Sequence, residues 1–326
     1  MLVILNPHSG NQRAARVFAS IRGALEAAGM RLELAPTQHA GHATELARDR
    51  DLGDVDCVLV VGGDGTWNEV LNGLMARGNS DSGDGSADSD AAGARPLPPL
   101  PPLALVPGGT GNSIATSMGV ADPMAAIQPL LRGQLRRVDL GRVTMPQRPP
   151  LYLCNLLGWG LGVDANVSAE ACRCFGTWRY DCGAVWQIMR GAQRHVRVVL
   201  DDAHVYEGDY CLIIVQNNAH GGSELRLAPY AKMDDGCLDV ILAKNEGRAA
   251  TIALFDELKR AGSHVYCDSV VYRRFKKMTV TCEEYVRAGG GATCFLFSFL
   301  RVMCVLTILF FSRFFVCVPF ETPETR

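Results

Sequence analysis

VVGGDGTWNEV, residues 60–70, passes from an apolar, strand-like run through three glycines and one carboxylate into a helix-like pattern. Gly-Asp-Gly is ordinary turn chemistry, and an Asp ahead of a helix is often only an N-cap. Repetition lifts Asp64 above that reading. LVIL (2–5) enters NPHSGN and then a helix pattern with Val17, Phe18, Ile21 and Leu25 on one side. CVLVV (57–61) enters GGDGT ahead of Trp67, Val70, Leu71 and Leu74, and LALV (103–106) enters PGGTGN ahead of Ile114, Ala115 and Met118. Short buried strands alternating with helices predict a parallel, doubly wound α/β sheet, whose ligands bind outside the carboxyl ends of the strands. All three turns then face one crevice.

Glycines in such turns let backbone N–H groups approach an anion, and the helix that follows adds a favourable dipole, so a phosphate chain is the expected ligand. The Walker pattern Gly-x4-Gly-Lys-Ser/Thr is absent, as is the spaced Gly-x-Gly-x-x-Gly of dinucleotide folds. Ordinary P-loop and NAD readings lose their main support.

The 326 residues are 48% apolar, enough for two domains with real cores. With 32 basic against 34 acidic residues the net charge is −2, which gives no support to a nucleic-acid partner. The 12 cysteines include no Cys-x-x-Cys pair, and the chain opens directly on LVIL with no secretory signal, so free thiols in a cytoplasmic setting are expected.

After the first half the pattern changes to HVRVVL, YCLIIVQ, CLDVIL and MTVTC, with helix patterns near 168–192 and 248–260. These runs predict an antiparallel, β-rich, sandwich-like second domain. The expected organisation is a nucleotide-binding domain over 1–140 and a lipid-substrate domain over 141–284. Residues 79–102, rich in Ser, Asp, Gly and then Pro, read as a disordered insertion.

In this order and spacing, NPHSG, GGDGTWNEV and PGGTGN resemble the diacylglycerol kinase catalytic-domain superfamily, which includes sphingosine, ceramide and bacterial lipid kinases. The resemblance continues through GWGLGVDANVSAE, RCFGTWRYD and APYAKMDDGCLDV. It implies an ATP- and Mg2+-dependent lipid kinase working at a membrane surface on a primary hydroxyl, with a sphingoid base slightly ahead of diacylglycerol or ceramide as acceptor. It also implies that Asn6, Pro7, Ser9, Gly10 and Thr37 line the nucleotide site. Gly62, Gly63, Gly65, Thr66 and Asn68 wrap the phosphates, Gly109, Thr110 and Gly111 complete the cradle, and Glu69 faces nucleotide or magnesium. Asp64 inherits the role of general base, Arg173 and Arg179 of phosphate ligands, Asp164 and Asn166 of substrate contacts, and Asp235 of a magnesium ligand.

Two departures bear on that assignment. Asn166 stands where sphingosine kinases carry an amine-binding Asp, and an amide offers no charge to an ammonium group. After MTVTC the family's Asp-Gly-Glu segment is replaced by EEYVRAGGGATCFLFSFL, which keeps a catalytically weak nucleotide- or lipid-binding pseudokinase open as the alternative. The apolar tail, 285–326, reads either as an ending altered by transcript processing or as a membrane anchor. Its longest uncharged run between Arg301 and Arg313 is short for a span of about 20 residues.

Overall fold

Strands β1 (Leu2–Leu5), β3 (Val58–Gly62) and β4 (Leu103–Pro107) are buried at every position, as parallel strands covered on both faces must be, while β2 (Glu33–Pro36) buries one residue in four. The computed structural model describes residues 1–77, 100–171, 179–191, 194–221, 225–260, 262–282 and 304–317, so most of the expected 79–102 insertion lies outside the described residues. It divides into two units, Met1–Arg137 with Phe314–Arg326, and Val138–Arg313.

In the first unit the four strands run parallel in the order β4-β3-β1-β2. The order reverses around β1, which sends consecutive crossovers to opposite faces and opens a crevice at the strands' carboxyl ends. Helices α1 (Ser9–Ala27), α2 (His42–Asp49), α3 (Asp64–Arg77), α4 (Ser113–Ser117) and α5 (Pro123–Leu131) complete the unit. Val17, Phe18, Ile21 and Leu25 of α1 are buried, as are Trp67, Val70, Leu71 and Leu74 of α3, so the apolar spacing read from sequence is the spacing that packs. Asp122 starts α5 by accepting a hydrogen bond from Ala125 N (2.9 Å), with Pro123 at the first helical position.

The second unit is antiparallel. Strands β5 (Arg136–Met145) and β6 (Arg148–Leu153) pair, as do β7 (Leu156–Gly160) and β9 (His204–Gln216). Strands β8 (His195–Leu200), β10 (Leu238–Lys244), β11 (Val270–Phe275), β12 (Lys277–Cys282) and β13 (Cys304–Val316) complete the path β11-β10-β9-β8-β12-β13. Helices α6 (Leu161–Ala171), α7 (Arg179–Arg190) and α8 (Arg248–Leu258) accompany them. Alternate residues of β9 serve different cores: Ile213 and Val215 join Leu238, Phe275 and Ile308, whereas Leu212 and Ile214 join Leu254 and Leu258 of α8.

Within the expected tail, residues 304–316 form a strand. Residues 304–309 pair antiparallel with β12, from Cys282↔Cys304 to Lys277↔Leu309, and Ile308 is fully buried. In the first unit Val316 pairs in parallel with Leu103, Cys317 N donates to Leu103 O (2.8 Å), and Phe314, Val316 and Cys317 are buried. Over 304–316 the apolar run forms β13, in which Ile308, Phe314 and Val316 are buried and Phe315 is exposed. No helix among the described residues is long and apolar enough to cross a membrane.

Two outcomes follow. Ile308→Ala removes fully buried methyls and lowers stability by about 2–5 kcal/mol in denaturant unfolding. Burial pushes the Asp239 carboxyl up to about 6, against a hydrogen bond from Tyr272 Oη (2.6 Å) that lowers it. The folded state then holds this proton more tightly than the unfolded chain, so its stabilisation is complete below about pH 4 and fades as pH rises through about 6. Relative to Asp239→Asn, the wild type loses up to about 3 kcal/mol between urea titrations at about pH 4 and about pH 7.

Candidate active site

At the carboxyl ends of β1, β3 and β4 the three glycine-rich turns meet backbone to backbone. A Cβ on Gly10, which has φ +57°, would lie 2.4 Å from Gly108 O, and one on Gly109 would lie 2.5 Å from Gly63 Cα. Only glycine permits both approaches. Asn6 joins two turns, its N donating to Val61 O (3.0 Å) and its Nδ2 to Thr66 Oγ1 (3.1 Å), while its Oδ1 accepts from His8 N (3.1 Å). Gly108 N donates to Gly62 O (2.7 Å), and Asn112 closes the third turn through Gly109 N→Oδ1 and Nδ2→Gly109 O, both 2.9 Å. Asn11, Gln12 and Asn112, in two of these turns, hold left-handed backbone (φ 55°, 67° and 51°), a strained conformation for residues with a Cβ.

Asp64 opens α3 and is 5% exposed. Its Oδ2 accepts from Ser113 N (2.9 Å) and its Oδ1 from Ile114 N (3.0 Å), the first N–H groups of α4. The carboxylate caps a helix 49 residues away rather than its own, a partnership that local spacing does not disclose. Each oxygen retains a further lone-pair direction. The first intrahelical bond of α3 runs from Trp67 N to Gly63 O (3.1 Å), so the N–H groups of Asp64, Gly65 and Thr66 precede it and have no intrahelical acceptor.

The other expected nucleotide residues fall around these turns. Pro7 and Ser9 are half-buried beside Asn6, and Ser9 N donates to Asn6 O (3.1 Å). Thr37 is buried just beyond β2, with its N on Leu5 O (2.8 Å). Asn68 and Glu69 are half-buried on α3, and Asn68 Oδ1 accepts from Asn72 Nδ2 (3.2 Å). Thr110 is exposed and Gly111 half-buried at the third turn.

In the second unit Asp164 lies in the first turn of α6, 7% exposed and ion-paired with Arg194. Asn166 sits on the same helix and Arg179 begins α7, in both cases with a side chain outside the described residues, and Arg173 lies outside them altogether. Asp235, the expected magnesium ligand, lies in the turn ahead of β10. Its Oδ1 accepts from Cys237 N (3.1 Å) and its Oδ2 pairs with Arg274 Nη1 (3.2 Å), while Gly236 N donates to Oδ2 of fully buried Asp139 (2.6 Å). Each Asp235 oxygen thus meets one protein donor and keeps further lone-pair capacity. Asp139, a charge within the β5 run, was a signal that sequence reasoning passed over.

Comparison with known proteins agrees with this architecture. The diacylglycerol kinase catalytic domain matches residues 1–143, and the YegS C-terminal NAD kinase beta sandwich-like domain matches 157–295. The chain belongs to the diacylglycerol kinase catalytic-domain superfamily. It is 26% identical to sphingosine kinase 1 of Arabidopsis thaliana, over 85% of this chain but 63% of that protein. It is 27% identical to a diacylglycerol kinase of Bacillus subtilis, over 86% of each. The crystal structure of a diacylglycerol kinase from Bacillus anthracis superposes with a TM-score of 0.69 at 22% identity, covering 100% of this chain and 98% of that one, which establishes the shared fold.

Asp64→Ala orphans the Ser113 and Ile114 N–H groups and lowers unfolding free energy by about 3 kcal/mol or more. Asp64→Asn, whose amide presents one acceptor and one misplaced donor, falls between. Amide hydrogen exchange at Ser113 and Ile114 checks the cause, speeding up in both variants.

Proposed function

We propose that the chain is an ATP-dependent lipid kinase, transferring the γ-phosphoryl group of ATP, taken as its magnesium complex, to a primary hydroxyl of a lipid at a membrane surface. The observation that carries this reading is the interlocking of three glycine-rich turns at adjacent strand ends, beside N–H groups at the start of α3 that lack helical acceptors. Such a surface suits the oxygens of a polyphosphate. The relatives named above are kinases, which favours catalysis over the pseudokinase alternative.

Phosphoryl transfer asks a protein chiefly to align donor and acceptor and to neutralise spreading negative charge. The N–H groups of residues 64–66 and the turns at 6–10 and 108–111 supply fixed donors for the phosphates. Thr66, Asn68 and Glu69 share that end of α3, and Glu69 is the carboxylate assigned here to nucleotide or magnesium. Asp64 acts as general base: the lipid oxygen bonds to the γ-phosphorus as the bond to the ADP oxygen breaks, and the hydroxyl proton passes to a carboxylate lone pair not used by Ser113 or Ile114. Those two N–H groups fix the carboxylate's orientation. Arg173 and Arg179 serve as phosphate ligands, and Asp164 and Asn166 belong to acceptor recognition.

Transfer of radiolabelled phosphate from ATP to diacylglycerol, ceramide or sphingosine in mixed micelles is the test. The wild type labels lipid; no labelled lipid from a folded, ATP-binding protein sinks the proposal in favour of the pseudokinase. In Asp64→Asn, kcat falls at least about 100-fold with a smaller change in the KM for ATP. A defect carried entirely by KM would return Asp64 to a purely structural role.

A further inference from the structure

Asp164 is buried on α6, and its partner is held from three directions. Arg194 O accepts from Tyr210 N (3.1 Å), fixing the backbone at the entry to β8. The guanidinium carbon lies 5.9 Å from the Trp159 ring centroid, and the guanidinium pairs with the Asp164 carboxylate. Its side chain is 20% exposed and that of Asp164 is 9% exposed. The carboxylate is neutralised inside the fold by a cation that packing does not let wander. Two residues on, Asn166 brings no charge.

The space beside this pair has the same character. A cavity of about 390 Å³ is bounded by Leu161, Gln187, Arg194, Asn245 and Arg248 among others, and no carboxylate lines it. Its charged groups are two guanidiniums. Its remaining polar side chains include the amides of Gln187 and Asn245, which donate and accept hydrogen bonds without favouring either sign of charge.

We infer that the acceptor lipid carries no positive charge at its head, and that Arg194, by occupying Asp164, is the residue that sets this preference: the substrate is an uncharged lipid alcohol of the acylglycerol or N-acylated type, not a free amine. The inference rests on the assignment of Asp164 to acceptor recognition. It reverses the order of acceptors that sequence alone suggested. An ammonium group entering here would either displace Arg194 from a buried carboxylate or lie beside two guanidiniums, and both are unfavourable in a partly desolvated site. A glycerol hydroxyl or an N-acyl amide meets neither penalty.

The test presents dioctanoylglycerol and sphingosine together in mixed micelles and measures the ratio of phosphorylated products. Binding of fluorescent short-chain forms of both lipids is measured in parallel without ATP. The wild type favours the neutral lipid by at least about tenfold in both assays. Arg194→Met exposes the Asp164 charge and moves the ratio about tenfold toward sphingosine, the double variant Arg194→Met/Asp164→Asn restores the wild-type ratio, and Arg194→Lys retains it. Thermal unfolding selects the variants that are folded, and the wild-type comparison needs none of them. Preference of the wild type for sphingosine, or an Arg194→Met ratio equal to wild type, overturns the inference. Neutral-lipid preference in binding with no phosphorylation of either lipid would instead remove the kinase reading and leave the charge selection standing.

Discussion

Two backbone N–H groups, those of Ser113 and Ile114, close on the carboxylate of Asp64. That contact ties the segment after β4 to the end of β3, and the approach of Gly109 to Gly63 follows from it, since neither turn could come so near its neighbour with a Cβ in the way. Asn6 makes the corresponding tie from β1 through Thr66. The carboxylate therefore has a structural task whether or not it also receives a proton. A base used in this way is oriented before substrate arrives, and reorientation adds nothing to the barrier.

The first unit was legible because its information is periodic and local. Apolar residues at helical spacing in α1 and α3 and unbroken apolar runs in β1, β3 and β4 report burial directly, and the glycines mark where strands end. What local pattern cannot carry is pairing across the chain. Asp64 finds its donors 49 and 50 residues away, Asp164 its arginine 30 residues away, and Asp139 its Gly236 donor 97 residues away. The same limit applies to Asp235, where Asp-Asp-Gly does not disclose the contacts with Cys237 and Arg274.

The tail is the complementary case. Over 304–317 an apolar, aromatic run has two physical destinations, hydrocarbon or a protein interior, and composition does not separate them. The register against β12 bears on this: Ile308 pairs with Met278, both fully buried, one pair in from the end of a six-pair antiparallel ladder. Substrate charge is a similar case. Sequence offered Asp164 as a negative group near the acceptor, and only the fold reveals that Arg194 has already neutralised it.

The three interlocked turns act, on the proposed function, as a phosphate cradle. A crystal structure with a non-hydrolysable ATP analogue and magnesium measures this most directly. The expected result is phosphate oxygens within hydrogen-bonding distance of N–H groups among residues 63–66 and 108–111, with Asp64 still held by Ser113 and Ile114. Phosphates bound elsewhere, with these turns unchanged and unliganded, would contradict it.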